Sequence, residues 1–155
     1  MTTESSDRLR TMFDAILSEL LKTVGASRTT LRLDDARHGF HIDDVVAEAL
    51  APGENSLRGQ TSINQRAAAT AQWVEANRRL LVQSDLSVGE PRAPDALIKL
   101  YGVRAQMLAP IERQGRLGGW ISVHEARGPR NWTEQDQAAL RKAAGDVLRE
   151  LGELN

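Results

Sequence analysis

Residues 101–125, YGVRAQMLAPIERQGRLGGWISVHE, constrain the fold more than any other stretch of the chain. Two runs of alternating apolar residues flank an Arg-Gln-Gly tip, the pattern of an antiparallel hairpin with one buried face. A three-residue loop, Arg113-Gln114-Gly115, puts Gly115 in the left-handed position and pairs Glu112 with Arg116. On that register Met107 faces Ile121 and Ala105 faces Val123, so one face is wholly apolar. The other face sets Gln106 against Ser122, Arg104 against His124 and Leu108 against Trp120. A two-residue loop would set Met107 against Ser122 and mix the faces, because a slip of one residue sends every side chain to the other side.

The apolar face needs a cover, and two amphipathic helices at the ends of the chain supply it. Leu9, Met12, Phe13, Ile16, Leu17, Leu20, Leu21 and Val24 recur at steps of three and four, and Gly25 ends the stripe. Near the other end, Thr133 is a hydroxyl N-cap before Glu134 and Asp136, which suit the positive end of the helix dipole. Leu140, Ala143, Ala144, Val147, Leu148 and Leu151 form the buried stripe of that helix. Between them, RTTLRLD (28–34) alternates and reads as a strand, and a turn-rich tip DARHGF leads to a second strand in 44–50. The polar stretch 51–62 reads as loop, 63–79 as helix, 80–85 as a short strand, 86–94 as loop and 94–102 as a short helix. The order is α-β-β-α-β-α-β-β-α, an α+β chain with an antiparallel sheet.

With 155 residues the chain suits one domain, 1–155. Basic and acidic residues nearly cancel, 20 against 21, and no basic stripe with interleaved aromatics is present, which disfavours nucleic acid. Apolar runs fall far short of the ~18 residues of a membrane span, and the start MTTESSDR lacks the apolar region of a signal peptide. A cytoplasmic protein without membrane attachment is the expectation. The absence of cysteine removes disulfides, thiolate nucleophiles, thioether-linked chromophores and cysteine-ligated metals.

The polar face of the hairpin has two readings. Antiparallel sheets often keep one wet side, and polar alternation is what such sheets show. Trp120 favours the other reading, since a tryptophan among small polar residues suits the wall of a concavity.

Taken together, GASRTTLRLDD, RRLLVQSDL and above all MLAPIERQGRLGGWISVHEARGPRNWTEQDQAAL resemble the GAF domain family, over about residues 8–152. The resemblance implies a central antiparallel sheet of five to six strands, terminal helices on one face and a ligand pocket on the other, under the connecting loops. It also implies that the first strand lies beside the last, so that Arg32 joins Ser122 and His124; an ion pair of Arg32 with Glu48 on the neighbouring strand is the alternative.

In size and layout the chain is similar to one GAF subgroup, the free methionine-(R)-sulfoxide reductases. The carboxylates of that subgroup's pocket match Gln106, Ser122 and His124 here, and its redox chemistry is excluded by the missing cysteine. Amide, hydroxyl and imidazole in place of carboxylates, with Arg104 added, disfavour a cationic amine and favour a carboxylate or other small anion. The missing cysteine likewise removes the usual covalent bilin attachment of phytochrome-type GAF domains. Haem-binding members use a histidine axial ligand, but His38 and His41 fall in a hairpin tip, where exposure is expected. No cofactor and no metal are expected.

The sequence thus points to a small-molecule-binding sensor or regulatory domain for a small polar or anionic metabolite. Its ligand residues are Arg104, Gln106, Ser122 and His124, followed by Trp120, Arg32, Arg58 and Thr61. Alternatives are a small cofactor-free enzyme using His124 for proton transfer on a carboxylated substrate, and a protein-interaction module with a vestigial pocket. Arginine beside His124 disfavours its imidazolium, which weighs against catalysis. A homodimer through the terminal helices and a separate output protein are the expected partners.

Overall fold

The structure, a computed structural model, describes residues 3–60 and 63–152. Its elements run α1 (Thr3–Val24), β1 (Arg28–Leu33), a short 3-10 turn (Ala36–His38), β2 (Ala47–Leu50), α2 (Ala69–Asn77), β3 (Leu81–Gln83), α3 (Asp95–Lys99), β4 (Ala105–Arg113), β5 (Arg116–Glu125) and α4 (Glu134–Glu150). The five strands form one antiparallel sheet in the order β2-β1-β5-β4-β3, so the first strand lies beside the last. No helix among the described residues is long and apolar enough to cross a membrane.

Two layers cover the sheet. On one face the stripes of α1 (Phe13, Leu17, Leu20) and α4 (Leu140, Ala143, Val147) bury Leu31, Leu33, Met107, Ile111, Ile121 and Val123. A fully buried leucine or phenylalanine is worth roughly 1.5–3 kcal/mol, so this layer carries most of the hydrophobic stabilisation. At the start of α4 the Asp136 amide donates to the Thr133 hydroxyl oxygen and the Thr133 amide donates to the Asp136 carboxylate, a reciprocal capping box. On the opposite face α2 packs Ala71 and Val74 against Leu81, Leu108, Leu117 and Trp120. A third cluster of Val45, Leu57, Leu86, Ala93, Leu97 and Val103 joins the long loops to α3.

The hairpin departs from the expected register. Its loop holds two residues, Gln114 and Gly115, both with positive φ (54° and 77°), the type I′ geometry that matches strand twist. Arg113 pairs with Arg116, and the register then shifts once more between Ile111 and Glu112, where β5 carries an extra residue at Gly118. The shorter loop and the bulge cancel in parity, so the faces divide as expected. Partners, however, move by two residues: Gln106 faces His124 and Leu108 faces Ser122.

Beyond the bulge, Gly119 lies between Leu33 of β1 and Ile111 of β4. A Cβ added there would sit 2.0 Å from the main-chain oxygen of Arg32, so the close approach of β1 and β5 requires glycine.

Candidate functional site

Alternation along three adjacent strands builds the site. In β1, Arg28, Thr30 and Arg32 share the face away from the terminal helices; they pair respectively with His124, Ser122 and Trp120 of β5. On β4 the same face carries Gln106 and Leu108. Thr30, Arg32, Gln106, Leu108, Trp120, Ser122 and His124 form the floor of a cavity. Its cover comes from Leu57, Gln60, Ile63 and Gln65 in the loop before α2, Ala68, Thr70 and Ala71 around the start of α2, and Pro94 and Leu97 at α3. The centre of a water-sized sphere can reach about 30 Å³ of this space.

His124 is buried and fixed at one nitrogen. Arg28, fully buried beneath the sheet face, places Nη1 3.1 Å from His124 Nδ1. A guanidinium only donates, so Nδ1 must be the acceptor and the imidazole proton resides on Nε2. Burial, reinforced by the charges of Arg28 and Arg32, pushes the His124 pKa from its ordinary 6.5 down to about 3. At neutral pH the ring on the cavity wall is therefore neutral and offers an N–H.

Arg28 is held from its other side by the loop after β2: Nε and Nη2 donate to the Asn55 carbonyl at 3.1 and 2.7 Å, and Glu54 is 4.0 Å away. Tyr101 lies under its guanidinium at 5.4 Å. Arg32, also buried, donates from Nη1 to the carbonyls of Asp43 (2.8 Å) and Ile42 (3.4 Å). The alternative pairing of Arg32 with Glu48 does not form, because the Glu48 carboxylate accepts from Ser56 Oγ and the Leu57 amide. Thr30 is 1% exposed, and its Oγ1 is the buried side-chain atom without a hydrogen-bond partner among the described residues. Gln106 donates from Nε2 to Gln83 Oε1 at 2.8 Å, and Gln83 in turn donates to the Pro91 carbonyl.

Of the eight residues that the sequence singles out, Gln106, Ser122, His124, Trp120 and Arg32 meet at this cavity. Arg104 does not: the two-residue change of register carries it past His124 to the end of the sheet, where it is exposed and its amide donates to the Glu125 carbonyl. Arg58 is exposed as well, its guanidinium donating to the Val45 carbonyl and pinning the loop rather than entering the cavity. Thr61 lies outside the described residues. The structure adds Arg28, Thr30, Gln65 and Thr70, which the sequence reading misses. Arg28 and Thr30 carry a signal, since they stand four and two residues before Arg32 in an alternating strand.

His38 corrects another expectation. It is buried, not exposed, with Nδ1 2.7 Å from Asp35 Oδ2 and its ring stacked on Phe40. Arg113 donates to the same Asp35 oxygen at 3.1 Å. Burial alone would raise the Asp35 pKa, but the bonds from His38 and Arg113 outweigh it and hold the carboxyl below its usual range. This triad ties the β1–β2 tip to the β4–β5 hairpin. Among the described residues no group of three or more histidines and carboxylates is placed to hold a metal ion.

Fold and cavity together define an α+β domain: a five-stranded antiparallel sheet backed by terminal helices, with a cavity on its other face roofed by loops. A family profile described as GAF domain matches residues 8–151, and the chain belongs to that family. No curated protein matches it. Among solved structures, the GAF domain of PixJ from Thermosynechococcus elongatus in its blue-light-absorbing form superposes with a TM-score of 0.78 at 21% identity, covering 97% of this chain and 89% of that one. A phycocyanobilin-bound GAF domain from a cyanobacterial phytochrome gives 0.71 at 19% identity, covering 99% and 95%. The chromophore-binding domain of the bacteriophytochrome RpBphP3 from R. palustris gives 0.69 at 20% identity, covering 93% of this chain and 55% of that one. These likenesses are likenesses of fold.

Proposed function

We propose that this GAF domain senses a small polar or anionic metabolite, bound on the floor formed by Arg32, Gln106, Ser122 and His124. The Arg28–His124 hydrogen bond carries this reading. It leaves His124 neutral with its proton on Nε2, which makes the ring a hydrogen-bond donor to ligand and a poor base near neutrality. The competing enzyme reading needs a base with a free lone pair and a partner that stabilises the protonated ring, whereas Arg28 occupies the lone pair and opposes the charge. Bilins, named for two of the structural relatives, fit less well: the chain has no cysteine and the cavity is narrow.

Thermal-shift screening against small carboxylates, amino acids, nitrate and nucleotides tests this reading, with Arg32→Met and His124→Gln as controls. A compound that stabilises the parent protein and loses its effect in both variants supports it; identical responses across all three proteins refute the site. A homodimer through α1 and α4, passing the signal to a separate output protein, belongs to the same proposal. Sedimentation showing a monomer at high concentration would remove that part.

A further inference from the structure

We propose that the ligand of this cavity is a small oxyanion, such as a short-chain carboxylate; this rests on reading the cavity as the ligand site. Three observations support it.

The first is charge. No aspartate or glutamate lines the cavity, whereas Arg32 does. Arg32 is 5% exposed, and its hydrogen bonds run to two neutral carbonyls from one nitrogen. Among the described residues it makes no ion pair, since the Asp43 side chain accepts from the Gln65 amide and lies near His41; Asp43, Asp44 and Glu48 offset its burial only in part and from outside the cavity lining. A buried charge without an ionic partner is costly, and an anion in the adjoining cavity supplies that partner.

The second is the direction of the hydrogen bonds. Arg32 can only donate, and the neutral His124 with Nδ1 engaged can only donate from Nε2. Thr30 and Ser122 stand side by side in the register, and the Thr30 hydroxyl, without a partner among the described residues, can turn its hydrogen toward a ligand oxygen. An acceptor-only group with several lone pairs suits these donors better than an ammonium, for which the floor side chains offer the hydroxyls and the Gln106 amide oxygen.

The third is size. The centre of a water-sized sphere ranges over about 30 Å³ here, so the cavity suits a small molecule and not a chromophore. Trp120, Leu108 and Leu97 line it with apolar walls. A carboxylate with a short substituent fits this space, while a nucleotide exceeds it.

Calorimetric titration and thermal shift of the full chain at constant ionic strength, with sodium formate, acetate and nitrate against acetamide, test the proposal. Acetate and acetamide match in shape and differ in charge. We expect at least one oxyanion to bind saturably and to shift the amide signals of Thr30 and Ser122 and the imidazole Nε2–H signal of His124, with acetamide at least tenfold weaker. Acetamide binding as well as acetate would overturn the assignment of charge while leaving a polar-ligand sensor standing. Binding of nucleotides, but of none of the small anions, would overturn the size limit and again spare the sensor reading. No binding by any solute would overturn both. Comparing acetate with acetamide on the parent protein needs no variant, so the test stands even where Arg32→Met loses its fold.

Discussion

Arg28 Nη1 lies 3.1 Å from Nδ1 of His124, between two side chains that are directly opposed in the β1–β5 register and are both buried. The contact fixes the histidine tautomer and places a guanidinium behind the cavity wall. It also makes the protein sensitive to acid. In the unfolded chain the histidine takes up a proton near its ordinary pKa of 6.5, but in the folded protein it does so only near 3. Above pH 6.5 this group costs nothing. As pH falls below 6.5 the unfolded state binds more protons, so stability drops by up to about 1.4 kcal/mol per pH unit until the folded pKa is reached. Urea unfolding of His124→Gln between pH 7 and 5 should show a flatter profile than the parent.

Glu125 acts in a lower window. Burial alone would raise its pKa, but bonds from Arg127, Ser27 and Arg130 outweigh that and bring it from 4.5 down to about 2. Its contribution is complete above pH 4.5 and is lost as pH falls toward 2. Glu125→Gln should therefore destabilise the protein at pH 7 and leave the parent and variant closer together at pH 3, as read by unfolding midpoints at the two pH values.

Removing the guanidinium should release the histidine. In Arg28→Met the nearest positive charge is gone and Nδ1 is free, so the His124 pKa should rise from about 3 toward its ordinary value. Imidazole NMR signals followed against pH report this directly, and an unchanged midpoint would mean that burial alone sets the shift.

Gly119→Ala should be among the most damaging single-methyl additions in the chain. The new Cβ would meet a main-chain oxygen at 2.0 Å, and no side chain can move aside to make room. A loss of about 3 kcal/mol or more is expected from the forced separation of β1 and β5. Gly145→Ala, where an added Cβ meets nothing within 4 Å, is the matched control and should stabilise α4 slightly.

Gln114→Asn should raise the melting temperature. Gln114 holds φ = 54° at the first position of the two-residue turn, where asparagine is better tolerated than glutamine. A gain of about 0.5 kcal/mol, roughly 1–2 °C for a domain of this size, is within reach of differential scanning calorimetry.

How much of the fold and site is legible in the sequence depends on how local each feature is. The stripe of Phe13, Leu17 and Leu20 and the capping residues Thr133 and Asp136 are written within a few turns of chain, and they form as read. The division of β4 and β5 into an apolar face and a site face is equally plain, because alternation survives errors that come in pairs. Arg104 is misplaced by the sequence because Gly115 suits the left-handed position of either a two- or a three-residue loop, and nothing in LGGW marks which glycine carries the bulge. His38 reads as exposed for a related reason. Its burial comes from Phe40, Asp35 and the Ser6 hydroxyl of α1, which donates to the His38 carbonyl across 32 positions of sequence. Arg28 shares the alternation of Arg32, but its burial is set by distant partners, here Asn55 and Tyr101.

The bulge at Gly118 also sets a rule for changes of chain length in this hairpin. Were Gly118 drawn into the ladder opposite Ile111, Trp120, Ser122 and His124 would turn toward α1 and α4, and Ile121 and Val123 would enter the cavity. The strand would keep its hydrogen bonds and lose both its core and its site. Deleting Gly118 leaves every other pair in place, so the bulge is a point where the hairpin can shorten by one residue without exchanging its two faces.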